Sequence, residues 1–214
     1  MHYIWDVGVA GSNPVFPTSL LKILILLSEK PSEELRKRKE ELVLLIPEFG
    51  NCIGFDQKSI YHPYDVFEHT LRVIDGVEDN FCLRLAALFH DVGKPYIKDP
   101  RGEGHFGGHW NKSKDIFIKY KDNFFISFSS FTLICNLIEY HDFSVDIKNV
   151  KTFISKFSED EMKLLFSLKK SDIYAQNKDF IKNEMEKLDI QQKIYNTALE
   201  NSKDSQIVKR KGDY

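Results

Sequence analysis

The stretch AALFHDVGKPYIKDPRGEGHFGGHW, residues 86–110, holds three of the seven histidines in this 214-residue chain: His90, His105 and His109. His90 is followed directly by Asp91 at the end of an apolar run. Burying an imidazole and a carboxylate together costs free energy unless the two groups are paired or bind a metal. Imidazole and carboxylate are both ligands for first-row divalent ions. The pattern therefore indicates a metal site, and a helix-capping pair is the alternative interpretation.

Other residues of the same types stand at corresponding places along the chain. His69 lies on the preceding predicted helix, His141-Asp142 ends the apolar run FTLICNLIEYHD, and Asp172 interrupts the mostly apolar LLFSLKKSDIYA. Each has an ordinary alternative, either a core histidine with one hydrogen bond or an exposed helical carboxylate. Together they place ligand types on four predicted helices whose other faces are apolar. Helical bundles build metal sites from facing side chains in this way.

The elements that must position these residues are predicted to be helices. The pattern is helical from Leu20 onward, and Pro31 begins a helix with acidic residues in its first turn. Asp65 is the predicted cap of the next helix, and Asn80 begins another that is apolar nearly all round and therefore buried. Gly93 and Pro95 end that helix. Further helices are predicted at about 109–121, 128–141, 150–157, 159–175 and 178–203.

The fold class predicted from these elements is all-α. We expect one helical domain over residues 20–205, with its core at about 60–177 and a frayed tail at 206–214. Residues 1–19 have no helical or strand periodicity. Their Gly-Ser-Asn-Pro core is what the T-arm of a tRNA gene would encode, which indicates a mis-assigned start. A genuine disordered tail is the alternative.

Composition excludes several classes of protein. The net charge of −2 at pH 7 gives no overall basic field that would attract nucleic acid. Three scattered cysteines without CxxC spacing indicate a reduced, cytoplasmic chain rather than a disulfide scaffold. The longest apolar run, residues 20–27, is shorter than the roughly 20 residues needed to span a bilayer. We therefore expect no membrane contact.

Five segments together resemble a known family. They are YHPYDVFEHTLRVI, LRLAALFHDVGKP, GEGHFGGHW, LIEYHD and LKKSDIYAQ, and they cover about residues 60–177. In order and spacing they are similar to the HD-domain metal-dependent phosphohydrolases. More narrowly, they resemble the HD domain beside the catalytic head of bacterial CCA-adding tRNA nucleotidyltransferases. Nothing ahead of residue 60 resembles that head, so we expect a stand-alone HD-domain helical bundle that adds no nucleotides.

The resemblance implies which residues hold metal. The family pattern is a histidine, then His-Asp, then a distant aspartate. It falls here on His69, His90, Asp91 and Asp172. Relatives with two ions add two histidines, which match His109 and His141 by position, and the aspartate at position 91 would then bridge the ions.

Four further residues are candidates for substrate binding or catalysis. Some relatives have an acidic residue that helps to activate water at the position of Lys94; a lysine suits a phosphate oxygen instead, or complements the helix dipole. His105 could replace His109 as a ligand of the second ion, contact substrate, or be a solvated loop residue. Arg72 could contact phosphate. For His62, a substrate contact and a core hydrogen bond are both open.

The implied activity is phosphate-ester hydrolysis. A divalent ion lowers the pKa of bound water and so supplies hydroxide near neutral pH. The ligand set suits one or two ions of manganese, iron, cobalt or nickel, with magnesium at an oxygen-rich position. The expected partner is a small phosphorylated substrate: a nucleotide, a cyclic nucleotide, or the 2′-phosphate or 2′,3′-cyclic phosphate end of an RNA.

Two other functions stay open at this point. The domain could bind nucleotides or RNA without turnover, through the lysines at positions 112, 114, 119 and 121, although interleaved aspartates favour a solvated face. It could also be a purely structural helical protein in which metal only stabilises the fold. Stabilisation by metal without any hydrolysis would favour that last interpretation.

Overall fold

The computed structural model describes residues 28–212, with side chains through residue 204. Within this range the backbone forms nine α-helices joined by loops and short 3-10 turns, and no strand. The predicted all-α class is confirmed for the described residues. None of the described helices has the length and apolar content needed to cross a membrane. The predictions for residues 1–19, and for a helical pattern from Leu20, lie outside the described range.

The helices agree closely with the sequence pattern. They are α1 (Pro31–Lys37), α2 (Lys39–Leu45), α3 (Val66–Gly76), α4 (Phe81–Phe89), α5 (His109–Tyr120), α6 (Phe128–Tyr140), α7 (Val150–Lys156), α8 (Glu159–Tyr174) and α9 (Lys178–Gly212). The predicted boundaries of α5 to α8 hold to within a residue. Helix α9 continues past its predicted end at 203, into the predicted tail, because no glycine or proline interrupts it before Gly212.

Both predicted helix caps are present. The Asp65 carboxylate accepts a hydrogen bond from the Glu68 N–H at 2.7 Å and starts α3. The Asn80 side chain accepts one from the Leu83 N–H at 3.0 Å and starts α4. Each cap satisfies a backbone donor that the first helical turn leaves without a partner, and such caps contribute about 1 kcal/mol each.

Helix α4 is the centre of the fold, as its apolar pattern predicts. It packs against α3, α5, α6 and α8, and its residues from Leu83 to Phe89 are buried. The Phe89 ring makes edge contacts with the rings of Phe49, Phe117 and Phe124. Burying a side chain of this size contributes about 1.5–3 kcal/mol. Because the helix is held on every side, the two residues that follow it are fixed in position.

The turn after α4 lies directly against the first turn of α5. A Cβ atom on Gly93 would lie 2.5 Å from the His109 carbonyl oxygen and 2.6 Å from the Ser113 nitrogen. The Gly93 N–H donates to the Ser113 hydroxyl at 2.9 Å. Only glycine permits this approach. It places the start of α5 beside the His-Asp pair.

Candidate metal centre

Asp91 stands at the middle of a cluster of histidines. Its Oδ2 lies 3.3 Å from His90 Nε2 and 3.5 Å from His69 Nε2. Its Oδ1 lies 3.1 Å from His109 Nε2 and 3.6 Å from His141 Nε2. The side chain is only 2% exposed. The two carboxylate oxygens therefore face two different pairs of imidazoles.

Three of these imidazoles are oriented by the same type of backbone hydrogen bond. The Nδ1–H groups of His90, His109 and His141 donate to the carbonyl oxygens three residues earlier, at 2.7, 2.8 and 2.7 Å. A carbonyl oxygen only accepts, so each Nδ1 carries the proton. In the neutral imidazole Nε2 then has a free lone pair, and it is Nε2 that faces Asp91. Histidine ligands of metal ions commonly have such a backbone hydrogen bond on their other nitrogen.

His69 on α3 and Asp172 on α8 complete the cluster. Their Nε2 and Oδ1 atoms lie 2.9 Å apart, but in an orientation that makes no hydrogen bond, and both atoms are buried. His90 Nε2 is also buried without a hydrogen-bond partner. Buried polar atoms are nearly always paired, since leaving one unpaired costs about 1–3 kcal/mol. Nitrogen and oxygen lone pairs that converge in this way fit a divalent cation.

The cluster divides into two groups of ligand atoms. Among the described residues, one group joins His69, His90 and Asp172, and the other joins His90, Asp91 and His141, with the atoms of each group within 4.8 Å of one another. His109 lies beside the second group, with its Nε2 3.1 Å from His141 Nε2. The structure thus brings together all six residues that the sequence singled out as ligands. That they bind ions stays a prediction.

The charges within the cluster favour ligand protonation states. Burial raises the pKa of Asp91, but His90 and Lys94 outweigh it and hold that pKa well below its usual range. Burial likewise opposes ionisation of Asp172, and contact with His69 outweighs it, so its pKa is also lowered. Burial lowers the pKa of His141. Ionised carboxylates and neutral imidazole are the forms that bind metal.

His90 is an exception among the histidines with a shifted pKa. Burial opposes protonation of its imidazole, but the charge of Asp91 outweighs burial, and the pKa of His90 is raised. A proton and a metal ion would therefore compete for its Nε2.

Lys94 is a buried part of the site. Its ammonium group lies 2.7 Å from Asp91 Oδ2 and donates to the side-chain oxygen of Gln57 at 2.9 Å. Lys94 and Asp91 therefore point to the same side of the turn. The ammonium thus places a positive charge beside the carboxylate oxygen that faces His69 and His90.

A cavity of about 320 Å³ opens onto the cluster. It reaches four of the candidate ligand residues, Asp91, His109, His141 and Asp172. The other lining residues are His62, Lys94, Arg101, Gly104, His105, Phe106, Gly107, Trp110, Asp142 and Gln176. This volume lies at the small end of the range for small-molecule sites, which is about 300–1,000 Å³.

His62 and His105 both line the cavity. The His62 ring meets the His69 ring edge-on at 5.1 Å, and its Nδ1 is buried without a hydrogen-bond partner. Burial, assisted by the charge of Lys94, lowers the pKa of His62 to about 3. His105 is exposed on the glycine loop. Both positions are compatible with substrate contact, and His105 belongs to neither group of ligand atoms.

Arg72 is placed differently from the prediction. Its guanidinium group lies 3.9 Å from the centre of the Tyr64 ring, and it is absent from the lining of the cavity. Arg72 is thus not at the cavity that opens onto the cluster, and a phosphate contact by Arg72 stays a prediction. The physical reason is that residue 72 is exposed on α3, whereas His69 on the same helix is buried.

Sequence reasoning missed three residues of the site. Gln57, in an irregular loop, gives no sequence signal for its bond to Lys94. Trp110 follows His109 and packs edge-on against Phe143 at 4.9 Å on the cavity wall. Lys169 is buried in α8. The sequence did contain a signal for Lys169, since it is a cation in a mostly apolar predicted helix, three residues before Asp172.

This fold and site define an all-α domain with histidine and aspartate groups that could hold a metal. Comparison with known families agrees: the HD domain model matches residues 59–209. The chain therefore belongs to the HD domain family, whose members bind divalent metals.

Two curated proteins show the same similarity over part of their length. The multifunctional CCA protein of Shewanella frigidimarina is 35% identical over 75 residues, which are 33% of this chain and 18% of that protein. The CC-adding tRNA nucleotidyltransferase of Thermus thermophilus is 35% identical over 102 residues, 43% of this chain and 23% of that protein. The chain thus spans about a fifth of the length of these relatives.

Proposed function

We propose that this protein is a metal-dependent phosphohydrolase, a phosphomonoesterase or phosphodiesterase. It acts on a nucleotide, a cyclic nucleotide or a phosphate at an RNA end. The observation that carries the proposal is the common orientation of His90, His109 and His141. Each has its Nδ1–H bound to its own helix end and its Nε2 turned to Asp91. A set of core histidines without a ligand would not need three lone pairs facing one buried carboxylate.

The residues fall into two proposed ion positions that share one carboxylate. His69, His90, Asp91 and Asp172 would hold the first divalent ion. Asp91, His109 and His141 would hold the second, since Asp91 Oδ1 faces both of those imidazoles. A bound divalent ion supplies Lewis-acid stabilisation of phosphate oxygens and lowers the pKa of water. The nitrogen and oxygen ligand set suits manganese, iron, cobalt or nickel, with magnesium where oxygens predominate.

The protein's own residues supply binding and orientation around the reacting phosphate. In hydrolysis, water oxygen bonds to phosphorus, the ester P–O bond breaks, and the leaving oxygen takes a proton. Lys94 carries a fixed positive charge at the cavity wall, suited to a phosphate oxygen. His62 and His105 line the same cavity and are the candidates for contact with the leaving group.

The substrate class is suggested by the cavity and by the relatives. A cavity of about 320 Å³ admits a small ester or the terminal nucleotide of a longer chain. One of the relatives named above is described as a tRNA nucleotidyltransferase and the other as a CCA protein. This supports an RNA-end phosphate among the candidates, as an analogy only, because fold and family do not fix a substrate.

The test is hydrolysis of a panel of phosphate esters. The panel holds nucleoside monophosphates, 2′,3′-cyclic and 3′,5′-cyclic nucleotides and bis-p-nitrophenyl phosphate, each with manganese, nickel, cobalt or magnesium. Asp91→Ala removes the shared carboxylate, and Asp122→Ala, an exposed aspartate beyond the end of α5, is the matched control. We expect metal-dependent turnover in the wild type and in Asp122→Ala, and none in Asp91→Ala.

The alternative function is a catalytically weak nucleotide- or RNA-binding module. The observation in its favour is the similarity to a protein described as a tRNA nucleotidyltransferase. Binding of a nucleotide or RNA end, with no turnover under any metal in the panel, would support that function and contradict the hydrolase proposal.

A further inference from the structure

Lys169 is a buried cation beside the proposed metal centre. It lies on α8 with 7% of its surface exposed, and its ammonium group donates to the carbonyl oxygens of His141 and Phe143, both at 2.7 Å. Burial lowers the pKa of Lys169 to about 8. Lysine is rarely buried unless it is paired. Two short hydrogen bonds to backbone carbonyls are therefore the evident reason for its place here.

One carbonyl that Lys169 binds, that of His141, belongs to the end of a helix, and the other, that of Phe143, follows two residues later. Helix α6 ends at Tyr140 with His141 as its C-cap residue. The last carbonyls of a helix have no partner within it and carry the negative end of the helix dipole. A buried ammonium group satisfies both needs at once. It thereby fixes the backbone of residues 141–143 against α8.

That short segment carries two parts of the site. His141 is a proposed ligand of the second ion. Phe143 packs against Trp110 at 4.9 Å, and the Trp110 ring in turn meets the His109 ring at 5.3 Å. Displacing the segment would therefore move both histidines of the second position. His69 and the His90–Asp91 pair lie on other elements of the fold, α3 and the end of α4.

We propose that Lys169 is a positioning residue that sets the second ion position by holding residues 141–143. It does so from α8, where Asp172 lies three residues further on, so one helix carries both a ligand of the first position and the support of the second. The inference rests on the proposed function, because it assumes that His109 and His141 bind an ion. The support itself, however, exists in the metal-free protein and can be tested there.

The test compares Lys169→Met with Lys169→Arg and Lys170→Met. Methionine keeps the length of the side chain and removes the donors; arginine keeps donors. Lys170 is the adjacent, exposed lysine, and Lys170→Met makes the same charge change on the same helix. All variants carry Trp5→Phe, which leaves Trp110 as the single tryptophan of the chain. The first readout is acrylamide quenching of Trp110 fluorescence in chelator; the second is Mn²⁺ binding by calorimetry.

We expect Lys169→Met to increase quenching of Trp110 without metal and to weaken the second of two Mn²⁺ binding events 10- to 100-fold, the usual effect of losing a residue that supports a ligand. The first event should change little. Lys170→Met should match the wild type, and Lys169→Arg should lie closer to it than Lys169→Met does. Unchanged quenching in Lys169→Met would overturn the inference, whether or not metal binds. If quenching is unchanged and Lys169→Met still binds both Mn²⁺ ions as the wild type does, the inference is overturned while the proposed function stays intact.

The two proposals can be separated in one further case. If the wild type binds no Mn²⁺, the proposed function fails, and the quenching comparison alone still decides whether Lys169 holds the segment. If Lys169→Met does not fold, the wild type is examined by nitrogen-detected NMR of its lysine ammonium groups. Couplings from one slowly exchanging ammonium to the carbonyl carbons of His141 and Phe143 are expected. Their absence from a well-resolved spectrum would overturn the inference.

Discussion

The Nε2 atoms of His109 and His141 face each other at 3.1 Å, and neither has a proton to donate in its neutral form. The Nδ1–H of each imidazole donates a hydrogen bond to a backbone carbonyl. Two lone pairs at this distance repel unless a cation or a proton lies between them. Burial lowers the pKa of His141, which disfavours the proton there. This arrangement supports the proposed metal ion between the two imidazoles.

Divalent ions should therefore raise the melting temperature. Saturation at a hundred times the dissociation constant stabilises a protein by about 2.7 kcal/mol per site. For a chain of this size that is a shift of about 5–10 °C for each ion bound. We expect this shift with Mn²⁺ or Ni²⁺ in the wild type, measured by calorimetry, and a smaller one in His141→Ala. His105→Ala, which changes an exposed histidine outside both ligand groups, should keep the full shift; equal shifts in all three proteins would contradict the assignment.

Asp172→Asn should remove one ion and not both. The amide is a weaker ligand than the carboxylate, and Asp172 belongs only to the group with His69 and His90. Metal analysis after gel filtration should show one ion per chain fewer than in the wild type, and activity should fall at least about 100-fold, as expected when a metal catalyst loses a ligand. Asp122→Asn is the control. Loss of no ion, or retention of full activity, would show that Asp172 is not a ligand.

His62 should make the folded state sensitive to acid. The pKa of its imidazole is lowered from 6.5 to about 3 in the folded protein, mainly by burial. Above pH 6.5 it is neutral in both states and its contribution to stability is fully present. As pH falls from 6.5 toward 3, the unfolded chain binds a proton that the folded chain excludes, so that stability is progressively lost, with a slope of up to about 1.4 kcal/mol per pH unit.

The measurement is urea unfolding at several pH values between 7 and 4, in the presence of a chelator. His62→Gln removes the titrating group, and its free energy of unfolding should fall less steeply with acid than that of the wild type. Parallel curves for the two proteins would show that His62 does not titrate in this way.

The loop over the cavity offers a matched pair of glycines. Gly102 and Gly104 both have positive φ, of 98° and 79°. A Cβ on Gly104 would lie 2.5 Å from the Lys58 carbonyl oxygen, whereas one on Gly102 would meet nothing within 4 Å. Backbone strain alone costs about 1–3 kcal/mol for each alanine. Gly104→Ala adds a collision and should lose more stability in urea and show the larger increase in KM; the reverse order would contradict this packing.

The sequence predicted most of the helices, and it singled out the residues that cluster at the candidate metal centre, because both leave strong local patterns. The run ahead of His90 is apolar on nearly every face, which places α4 at the centre and a polar pair at its buried end. Asp65 and Asn80 mark helix starts by their own chemistry. The division between α1 and α2 at Arg38 was not marked, because no glycine or proline stands there.

The local sequence pattern could not predict which distant segments come into contact. Lys94 was a candidate from the sequence, but its partner Gln57 comes from a loop without periodicity. Arg72 was expected to meet phosphate because it lies three residues after His69. Its stacking on Tyr64 depends on how that tyrosine packs ahead of α3, which the sequence does not specify.

A hydrogen bond between α3 and α8 affects when the site can form during synthesis. The Ser171 hydroxyl donates to the Val73 carbonyl at 2.8 Å, across 98 positions of the chain, next to the proposed ligand Asp172. Chains emerge from the ribosome in sequence order. His69, His90 and Asp91 are therefore made long before Asp172 can join them. We expect the full-affinity first ion position to arise only after α8 has emerged, so metal loading should be a late event in the maturation of this protein.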